Sequence, residues 1–296
     1  MSWPARLAIG VMRALAPMPL PVLRGAGALL SPLLFALAGS RRRITETNLA
    51  LCFPEKSPAE RRRIARRTFT CFAQTFFDRA WLWHAPRELI ERRVTVRAAP
   101  ELLRELVEGR DPLILFAPHF YGLDAGATGL TMQVLRPTLT IYTTQSNATI
   151  DEWVRVGRTR FGQVCAFDRM AGPKPVIKRL RQGEVLYLLP DMDFGPSHSV
   201  FAPFFGVQAA TVPSLSRFAS LGHAKVMPVR TRLTRTGYEI ELFPIWEDFP
   251  SGDDESDAAL MNRRLEAWIR EMPEQYYWVH RRFKTRPPGQ PSVYAR

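Results

Sequence analysis

Residues 113–124 read LILFAPHFYGLD, and this stretch combines a short apolar run with a histidine and a carboxylate. The run 113–117 follows an Asp-Pro dipeptide and has the length and composition of a buried strand. His119 then lies just beyond the carboxyl end of that strand, and the small apolar residues 122–130 predict a helix. In open α/β sheets, ligands bind at the carboxyl ends of strands. The stretch therefore predicts an α/β fold with a site at His119.

The spacing of His119 and Asp124 is compatible with a general base and its partner. A carboxylate about one helical turn from an imidazole can accept the N–H of one ring nitrogen, which leaves the other nitrogen free to take a proton. Such a pair would activate a substrate hydroxyl. The same spacing also fits a buried histidine bonded to a backbone carbonyl, with Asp124 only capping a helix.

Strand patterns alternate with helical patterns through the rest of the chain. The predicted strands are residues 94–96, 113–117, 139–142, 164–167 and 185–189, followed by a pair at 225–230 and 238–243. This alternation predicts a mostly parallel central sheet flanked by helices. No internal repeat or low-complexity linker interrupts the sequence, so residues 41–296 are expected to form one domain.

Residues 1–40 are expected to form an apolar segment that associates with a membrane. Arginines and prolines interrupt the apolar residues, and the charge-free piece 25–40 is shorter than the about 20 residues of a spanning helix. The three arginines at 41–43 suit anionic headgroups on the cytoplasmic side. We therefore expect an interfacial or partly inserted segment. A pair of core helices that covers the sheet is the alternative.

The net charge of +13 comes from 41 lysines and arginines against 28 acidic residues. Most of the surplus is arginine, which binds phosphate and carboxylate groups in a bidentate manner. Anionic lipid or a phosphorylated substrate is therefore the expected partner. Nucleic acid is not expected, because the aromatic residues do not alternate with basic ones in a readout pattern. Three widely spaced cysteines predict neither a disulfide framework nor a zinc cluster.

A second acidic cluster follows the predicted strand 185–189. Asp191 and Asp193 are followed by a loop rich in Phe, Pro and Gly, which includes Phe204 and Phe205. The phenylalanines suit the lining of an acyl chain groove, although packing of a buried loop explains them equally well. An Asp-x-Asp after a strand can also hold a divalent metal and a nucleotide sugar. The alternatives are therefore a metal-dependent glycosyltransferase that uses this pair and a nonenzymatic anionic-lipid-binding protein.

Together these motifs resemble the bacterial lipid A biosynthesis late acyltransferases, which are lauroyl and myristoyl transferases of the lysophospholipid acyltransferase superfamily with an H-x-x-x-x-D/E motif. The resemblance covers nearly the whole chain. It rests on NLALCFP at 48–54, HFYGLD at 119–124, DMDFG at 191–195, PFFG at 203–206 and PEQYYWVHRRFKTR at 273–286.

The resemblance implies transfer of a fatty acyl chain from an acyl carrier protein thioester to a hydroxyl group of a lipid A precursor. It places this reaction at the cytoplasmic face of the bacterial inner membrane, in contact with inner-membrane lipids, and requires no cofactor and no metal. It further implies that His119 is the general base and that Asp124 orients it. The family's acidic pair matches Asp191 and Asp193, with Met192 and Phe194 at its variable positions.

The remaining site predictions concern the substrates. The family tends to have an arginine shortly before a glycine in the middle region, which Arg158 ahead of Gly162 matches, with Arg160 as a competitor. Arg281 and Arg282, in the closing basic block, are candidates for binding the phosphates of the acceptor. The predicted substrate-binding residues are therefore Arg158, Arg160, Asp191, Asp193, Phe204, Phe205, Arg281 and Arg282.

Overall fold

A seven-stranded sheet forms the centre of the computed structural model, which describes residues 3–294. Its strands are β1 Val94–Arg97, β2 Leu113–Phe116, β3 Thr138–Tyr142, β4 Val164–Asp168, β5 Val185–Leu188, β8 Lys225–Thr234 and β9 Gly237–Leu242. They are arranged in the order β1-β9-β8-β2-β5-β3-β4, and every neighbouring pair except β8 and β9 is parallel. The prediction of a mostly parallel α/β sheet is confirmed.

Helices cover both faces of this sheet. They are α1 Trp3–Leu15, α2 Leu20–Leu37, α3 Gly39–Cys52, α4 Pro58–His84, α5 Arg87–Arg93, α6 Pro100–Glu108, α7 Leu123–Thr131, α8 Ala148–Arg158, α9 Lys174–Leu180, α10 Ser214–Gly222 and α11 Asp254–Glu271. Alternate residues of β2 belong to two different hydrophobic cores, so this strand is buried on both sides. That burial explains its continuous apolar sequence.

The register of β2 and β5 brings two distant parts of the sequence together. The two strands are parallel, and Phe116 at the end of β2 pairs with Leu188 at the end of β5. His119 and Asp191 each follow three residues after these paired positions. Parallel pairing therefore delivers the histidine and the carboxylate to the same edge of the sheet.

The Phe-rich segment after Asp193 differs from the loop that the sequence predicts. It forms an antiparallel hairpin of β6 Val200–Phe204 and β7 Val207–Thr211. Phe205 and Gly206 make the turn with positive φ angles of 51° and 74°. Pro203 lies within β6, and a proline inside an apolar run argues against a strand when only the sequence is considered.

The N-terminal helices pack on α4. α2 has 18 residues with a mean hydropathy of 1.6, so its length and composition would let it cross a membrane, and 22% of it is buried in the protein. Arg24 of α2 is only 9% exposed and forms an ion pair of 2.9 Å with Asp78 of α4. The same guanidinium donates to the backbone carbonyl oxygens of Thr234 and Gly237. A buried charged contact thus fixes α2 to both α4 and the β8–β9 hairpin.

Replacing Arg24 with leucine should lower the free energy of unfolding by about 3–5 kcal/mol, because the buried carboxylate of Asp78 loses its charged partner. The measurement is thermal or urea denaturation of the detergent-solubilised protein. Arg217→Ala is the matched control, since Arg217 and Asp254 form an exposed pair that is expected to contribute at most about 1 kcal/mol. Equal losses in the two variants would contradict the role of the Arg24 contact.

Candidate active site

His119 is held by Asp191 at the carboxyl ends of β2 and β5. The Nδ1 atom of His119 lies 2.7 Å from Oδ1 of Asp191, and the backbone N–H of His119 donates to both carboxylate oxygens. Tyr276 adds a hydrogen bond from its hydroxyl to Oδ2 of Asp191, at 3.0 Å. Asp191 is completely buried, so these donors replace the water that the carboxylate would otherwise bind.

The protonation of this pair follows from its surroundings. Burial raises the pKa of Asp191, but the adjacent His119 and its hydrogen bonds outweigh burial, and the pKa lies below its ordinary value. The carboxylate is therefore ionised and can only accept, so Nδ1 of His119 carries the proton. Within residues 3–294, Nε2 of His119 has no hydrogen-bond partner, and the side chain lines a large cavity. Nε2 is thus available as a proton acceptor.

The C-terminal block fixes the loop that contains His119. Tyr277 donates its backbone N–H to the carbonyl oxygen of His119, and Tyr121 donates its own to the carbonyl oxygen of Gln275. The rings of Tyr121 and Tyr277 meet edge to face at 5.7 Å. These contacts explain why the residues after 273 belong to the site, although they lie about 150 positions from His119.

Asp124 does not orient His119 in the part of the chain that the structure describes. Its carboxylate binds Nε of Arg79 from α4 and Nε of Arg158 from α8, each at 2.9 Å. Asp124 lies in the first turn of α7, where its side chain meets those two helices, whereas Asp191 occupies the position beside the imidazole. The expected His119–Asp124 pair is therefore replaced by two arrangements, His119 with Asp191 and Asp124 with two arginines.

The two guanidinium groups determine the ionisation of Asp124. Burial raises its pKa, but Arg158 and Arg79 lower it further than burial raises it, and the pKa is about 2. Two positive charges face one negative charge, so the cluster has a net charge of +1. It can therefore stabilise additional negative charge in the cavity that it lines.

The lowered pKa of Asp124 predicts a contribution to stability of about 2 kcal/mol that is complete above about pH 4. This contribution is lost as the pH falls from about 4 towards 2, because the unfolded chain then binds a proton that the folded protein binds more weakly. The measurement is the free energy of urea unfolding at several pH values for the wild type and Asp124→Asn. The variant should lose this part of the pH dependence, and Glu101→Gln, which removes an exposed carboxylate, should keep it. An unchanged pH dependence in Asp124→Asn would contradict the assignment.

His119, Asp124, Arg79 and Arg158 line a cavity of about 620 Å³. Residues of β2, β3, β4, β5, α7 and α10 also line it, and many of them are apolar. The apolar lining includes Leu130, Val134, Ile141, Val164, Met192 and Phe218. A cavity with charged groups at one place and apolar walls elsewhere suits a molecule with a reactive polar end and a hydrocarbon chain.

Arg160 lies outside this cavity and binds the end of α4. Its guanidinium donates to the backbone carbonyl oxygens of Leu82 and Ala85 and lies 4.7 Å from the centre of the Phe161 ring. Carbonyl groups at the C-terminus of a helix have no N–H partner within the helix, and the guanidinium supplies one. Arg158 is the arginine of this region that lines the cavity, and substrate binding by Arg160 stays a prediction.

Asp193 fixes the C-terminal block and does not line the cavity. Its carboxylate accepts the backbone N–H and the hydroxyl of Thr285, at 2.7 and 2.9 Å, and the backbone N–H of Gly195. Its own backbone N–H donates to Nε2 of His280, whose pKa burial lowers to about 4. The residue is 2% exposed and its carboxylate already has hydrogen-bond donors within the protein, so substrate binding by Asp193 stays a prediction.

The expected aromatic groove is also a packing feature. Phe204 and Phe205 are buried in the hydrophobic core against Phe53 and Tyr276, and neither lines the cavity. This packing fits the alternative of a buried segment, and contact of the two rings with an acyl chain stays a prediction. Phe194 and Phe218 are the phenylalanines that line the cavity.

The two C-terminal arginines have different environments. Arg282 is 1% exposed and donates to the carbonyl oxygen of Ala210, to the hydroxyl of Thr211 and to the side-chain oxygen of Asn262. Its guanidinium is occupied by contacts within the protein, and phosphate binding by Arg282 stays a prediction. Arg281 is exposed, with its guanidinium 5.8 Å from the centre of the Tyr294 ring, and it stays a prediction.

The acidic pair is poorly placed to hold a metal. Asp191 accepts from His119 and Tyr276, whereas Asp193 accepts from Thr285 and Gly195. Among residues 3–294, no three His, Cys, Asp or Glu side chains form a group that could hold a metal ion. Asp191 and Asp193 are therefore better placed to hold His119 and the C-terminal block than to share a metal ion.

Sequence reasoning missed three residues of the site. Arg79 lies on the aromatic face of α4 that contains Phe76 and Trp83. A charged residue on an apolar helix face indicates a functional or paired side chain, and this pattern could have identified Arg79. Tyr276 and Tyr277 lie in the C-terminal block, but the sequence does not show that this block reaches His119.

The comparisons with known protein sequences all point to one family. The model of the family described as "Bacterial lipid A biosynthesis acyltransferase" matches residues 1–285. The lipid A biosynthesis lauroyltransferase of Escherichia coli K12 is 36% identical over 296 residues, which cover 99% of this chain and 95% of that protein. The lipid A biosynthesis myristoyltransferase of the same strain is 34% identical over 268 residues, covering 88% and 80%.

A solved structure shows a more distant similarity. The crystal structure of the 1-acyl-sn-glycerophosphate acyltransferase from Thermotoga maritima is 13% identical, with a TM-score of 0.38, and the match covers 84% of this chain and 98% of that one. The family match and the two relatives confirm the resemblance seen in the sequence motifs. The chain therefore belongs to the bacterial lipid A biosynthesis acyltransferase family and is an acyltransferase.

Proposed function

We propose that the protein transfers a fatty acyl chain from an acyl carrier protein thioester to a hydroxyl group of a lipid A precursor. The observation on which this depends is the free Nε2 of His119 at a mostly apolar cavity, with Nδ1 held by Asp191. A general base at the polar end of a hydrocarbon-sized cavity is what an acyl transfer to a hydroxyl requires. The names of the relatives supply the substrate class.

In the reaction, Nε2 of His119 takes the proton of the acceptor hydroxyl while the oxygen attacks the thioester carbonyl. The carbonyl carbon becomes tetrahedral, and its oxygen becomes an oxyanion. The C–S bond then breaks, the ester forms, and the leaving thiolate receives the proton from Nε2. Asp191 keeps the proton of Nδ1 in place and stabilises the imidazolium that forms between the two steps. These steps require no cofactor and no metal.

Arg79 and Arg158 are the groups we propose for the oxyanion. Both line the cavity with His119, and together with Asp124 they form a cluster of net positive charge. Fixed positive charge beside a developing oxyanion stabilises the transition state more than the ground state. Asp124 in this proposal positions the arginines, and it does not orient the base.

Exposed arginines and exposed apolar side chains support an acidic protein as the acyl donor and a membrane location for the enzyme. Arg62, Arg63, Arg66 and Arg67 of α4 are exposed, and none of them forms an ion pair with another residue of the range 3–294. Such unpaired arginines attract an acidic carrier protein and anionic lipid headgroups. We propose that residues 1–40 place the domain 41–296 on the cytoplasmic face of the inner membrane. The exposed apolar side chains of α2, Val22, Leu29, Leu33 and Leu37, suit this contact.

The direct test is acyl transfer by the purified protein. Lauroyl-acyl carrier protein and a lipid A precursor with a free hydroxyacyl chain are incubated with the enzyme in detergent micelles, and the products are measured by mass spectrometry. A mass increase of one acyl chain on the precursor is expected. A parallel reaction with lauroyl-coenzyme A tests the donor.

Two outcomes would contradict the proposal. A precursor whose mass does not change with either donor would contradict acyl transfer to lipid A. A precursor acylated only from coenzyme A would contradict the carrier protein as donor.

A further inference from the structure

A second groove, of about 690 Å³, lies between α1 and α8. Arg6 and Arg13 of α1 line one side, and Thr149 and Gly157 of α8 line the other. Trp83, near the end of α4, also lines the groove. None of the reaction steps proposed above uses this groove.

The polar groups of the groove are mainly hydrogen-bond donors. The indole N–H of Trp83 has no hydrogen-bond partner in the described part of the chain, although this side chain is only 4% exposed. The buried hydroxyl of Thr149 is unpartnered in the same way. Glu152 is the carboxylate of the lining, and it is paired with Arg155 at 2.7 Å. Unsatisfied donors in a buried place favour a ligand that accepts hydrogen bonds.

The charge of the groove is positive. Arg13 is exposed at its edge and forms no ion pair among residues 3–294. His84 is neutral, since burial and the nearby Arg13 and Arg160 lower its pKa, and its Nε2 accepts a hydrogen bond of 2.9 Å from Trp153. An anion with several acceptor oxygens complements this combination of arginine and neutral donors.

The groove is also apolar enough for part of a lipid. Ile9, Trp153 and Val156 line it between the polar groups. Trp3, Leu7 and Val11 of α1 are exposed as well. The ligand that fits is therefore an amphiphile with an anionic group.

The groove and the catalytic cavity share a wall. Gly157 lines the groove, and the next residue, Arg158, binds Asp124 in the cavity. Trp83 lies in the groove, and the guanidinium of Arg79 lies 5.3 Å from the centre of its ring while binding Asp124. α8 packs closely here, because a Cβ atom at Gly157 would lie 2.3 Å from the indole ring of Trp83. A ligand in the groove therefore lies next to the two arginines of the cavity.

We propose that this groove binds a phosphate group of the lipid acceptor, an inference that rests on the function proposed above. The acceptor is a single molecule with both a phosphate and the hydroxyacyl chain that must reach His119. A phosphate site separated from the cavity by one helix positions that molecule while its hydroxyl enters the cavity. A bulk phospholipid does not have to reach His119, so a site next to the cavity would not help its binding. The position of the groove beside the cavity therefore favours the acceptor as the occupant.

The test compares Arg13→Gln with the wild type on two acceptors, the phosphorylated precursor and the same precursor after enzymatic removal of its phosphates. Arg13→Gln should raise the KM for the phosphorylated acceptor about tenfold, since a hydrogen bond to a charged group is lost. The KM for the dephosphorylated acceptor should be the same in both proteins. Thr149→Val, which keeps the side-chain shape, should raise the KM for the phosphorylated acceptor about threefold to tenfold. Arg264→Gln, an exposed arginine of α11, is the matched control and should change neither value.

Two results would overturn the assignment. One is an unchanged KM of Arg13→Gln for the phosphorylated acceptor. The other is an equal rise for both acceptors that appears only in micelles containing phosphatidylglycerol, which would identify bulk anionic lipid as the occupant. Failure of the wild type to acylate any acceptor would instead contradict the proposed function, so the two failures are distinguishable.

Discussion

Replacing His119 with alanine should reduce kcat for acyl transfer about 10²- to 10⁴-fold, which is the usual contribution of a positioned general base. This side chain lines the cavity, and Asp191 holds its Nδ1 atom. Without it, the acceptor hydroxyl must lose its proton to water as it attacks the thioester. The measurement is the initial rate of transfer from the acyl carrier protein thioester to the lipid A precursor.

This result depends on the variant being folded. His119→Ala keeps the backbone N–H that binds both carboxylate oxygens of Asp191, and Tyr276 still donates to Oδ2, so the carboxylate is not left without donors. Retained cooperative thermal unfolding therefore accompanies the expected loss of activity. A folded variant with a rate within tenfold of the wild type would show that another group removes the proton.

Replacing Asp191 with asparagine should reduce kcat by a similar factor, on the order of 10²- to 10⁴-fold. The amide has almost the same shape as the carboxylate, but it has no charge to stabilise an imidazolium, and its NH₂ group can donate to Nδ1. The imidazole then favours the tautomer in which Nε2 carries the proton and cannot act as a base. The KM for either substrate should change little, because Asp191 is buried behind the histidine.

The ¹⁵N chemical shifts of His119 distinguish the two carboxylates. In the wild type, Nδ1 should be protonated and Nε2 unprotonated, and Asp191→Asn should shift this tautomer equilibrium. Asp124→Asn should leave the His119 shifts unchanged, since Asp124 binds Arg79 and Arg158. A tautomer shift in Asp124→Asn and none in Asp191→Asn would restore the pairing that the motif spacing predicts.

The sheet and the position of His119, the proposed catalytic base, could be predicted from the sequence. The buried run of β2 is apolar throughout, and a histidine directly after such a strand has few places to lie except the carboxyl edge of the sheet. The capping box at the start of α4 is also a local feature, in which Ser57 and Glu60 bond to each other. Patterns of this kind can be recognised from residues that lie close together in the sequence.

The partners of the site residues could not be predicted in the same way. The choice between Asp124 and Asp191 for His119 depends on the register of β2 and β5, which pairs Phe116 with Leu188 across 72 positions. The burial of Arg282 depends on its meeting Ala210 and Asn262, which come from two other elements. A basic residue looks the same in the sequence whether it binds phosphate or a buried carbonyl, and tertiary contacts decide between them.

The neighbouring residues Asp78 and Arg79 of α4 limit which segments could replace the N-terminal helices. Asp78 binds Arg24 of α2, and Arg79 binds Asp124 of the cavity. In the membrane arrangement proposed above, the depth of α2 in the lipid surface sets the height of the reacting atoms above that surface, because Asp78 and Arg79 are adjacent on one helix. A chimera with a foreign anchor in place of residues 1–40 would lack Arg24, so nothing would fix its cavity at the same height.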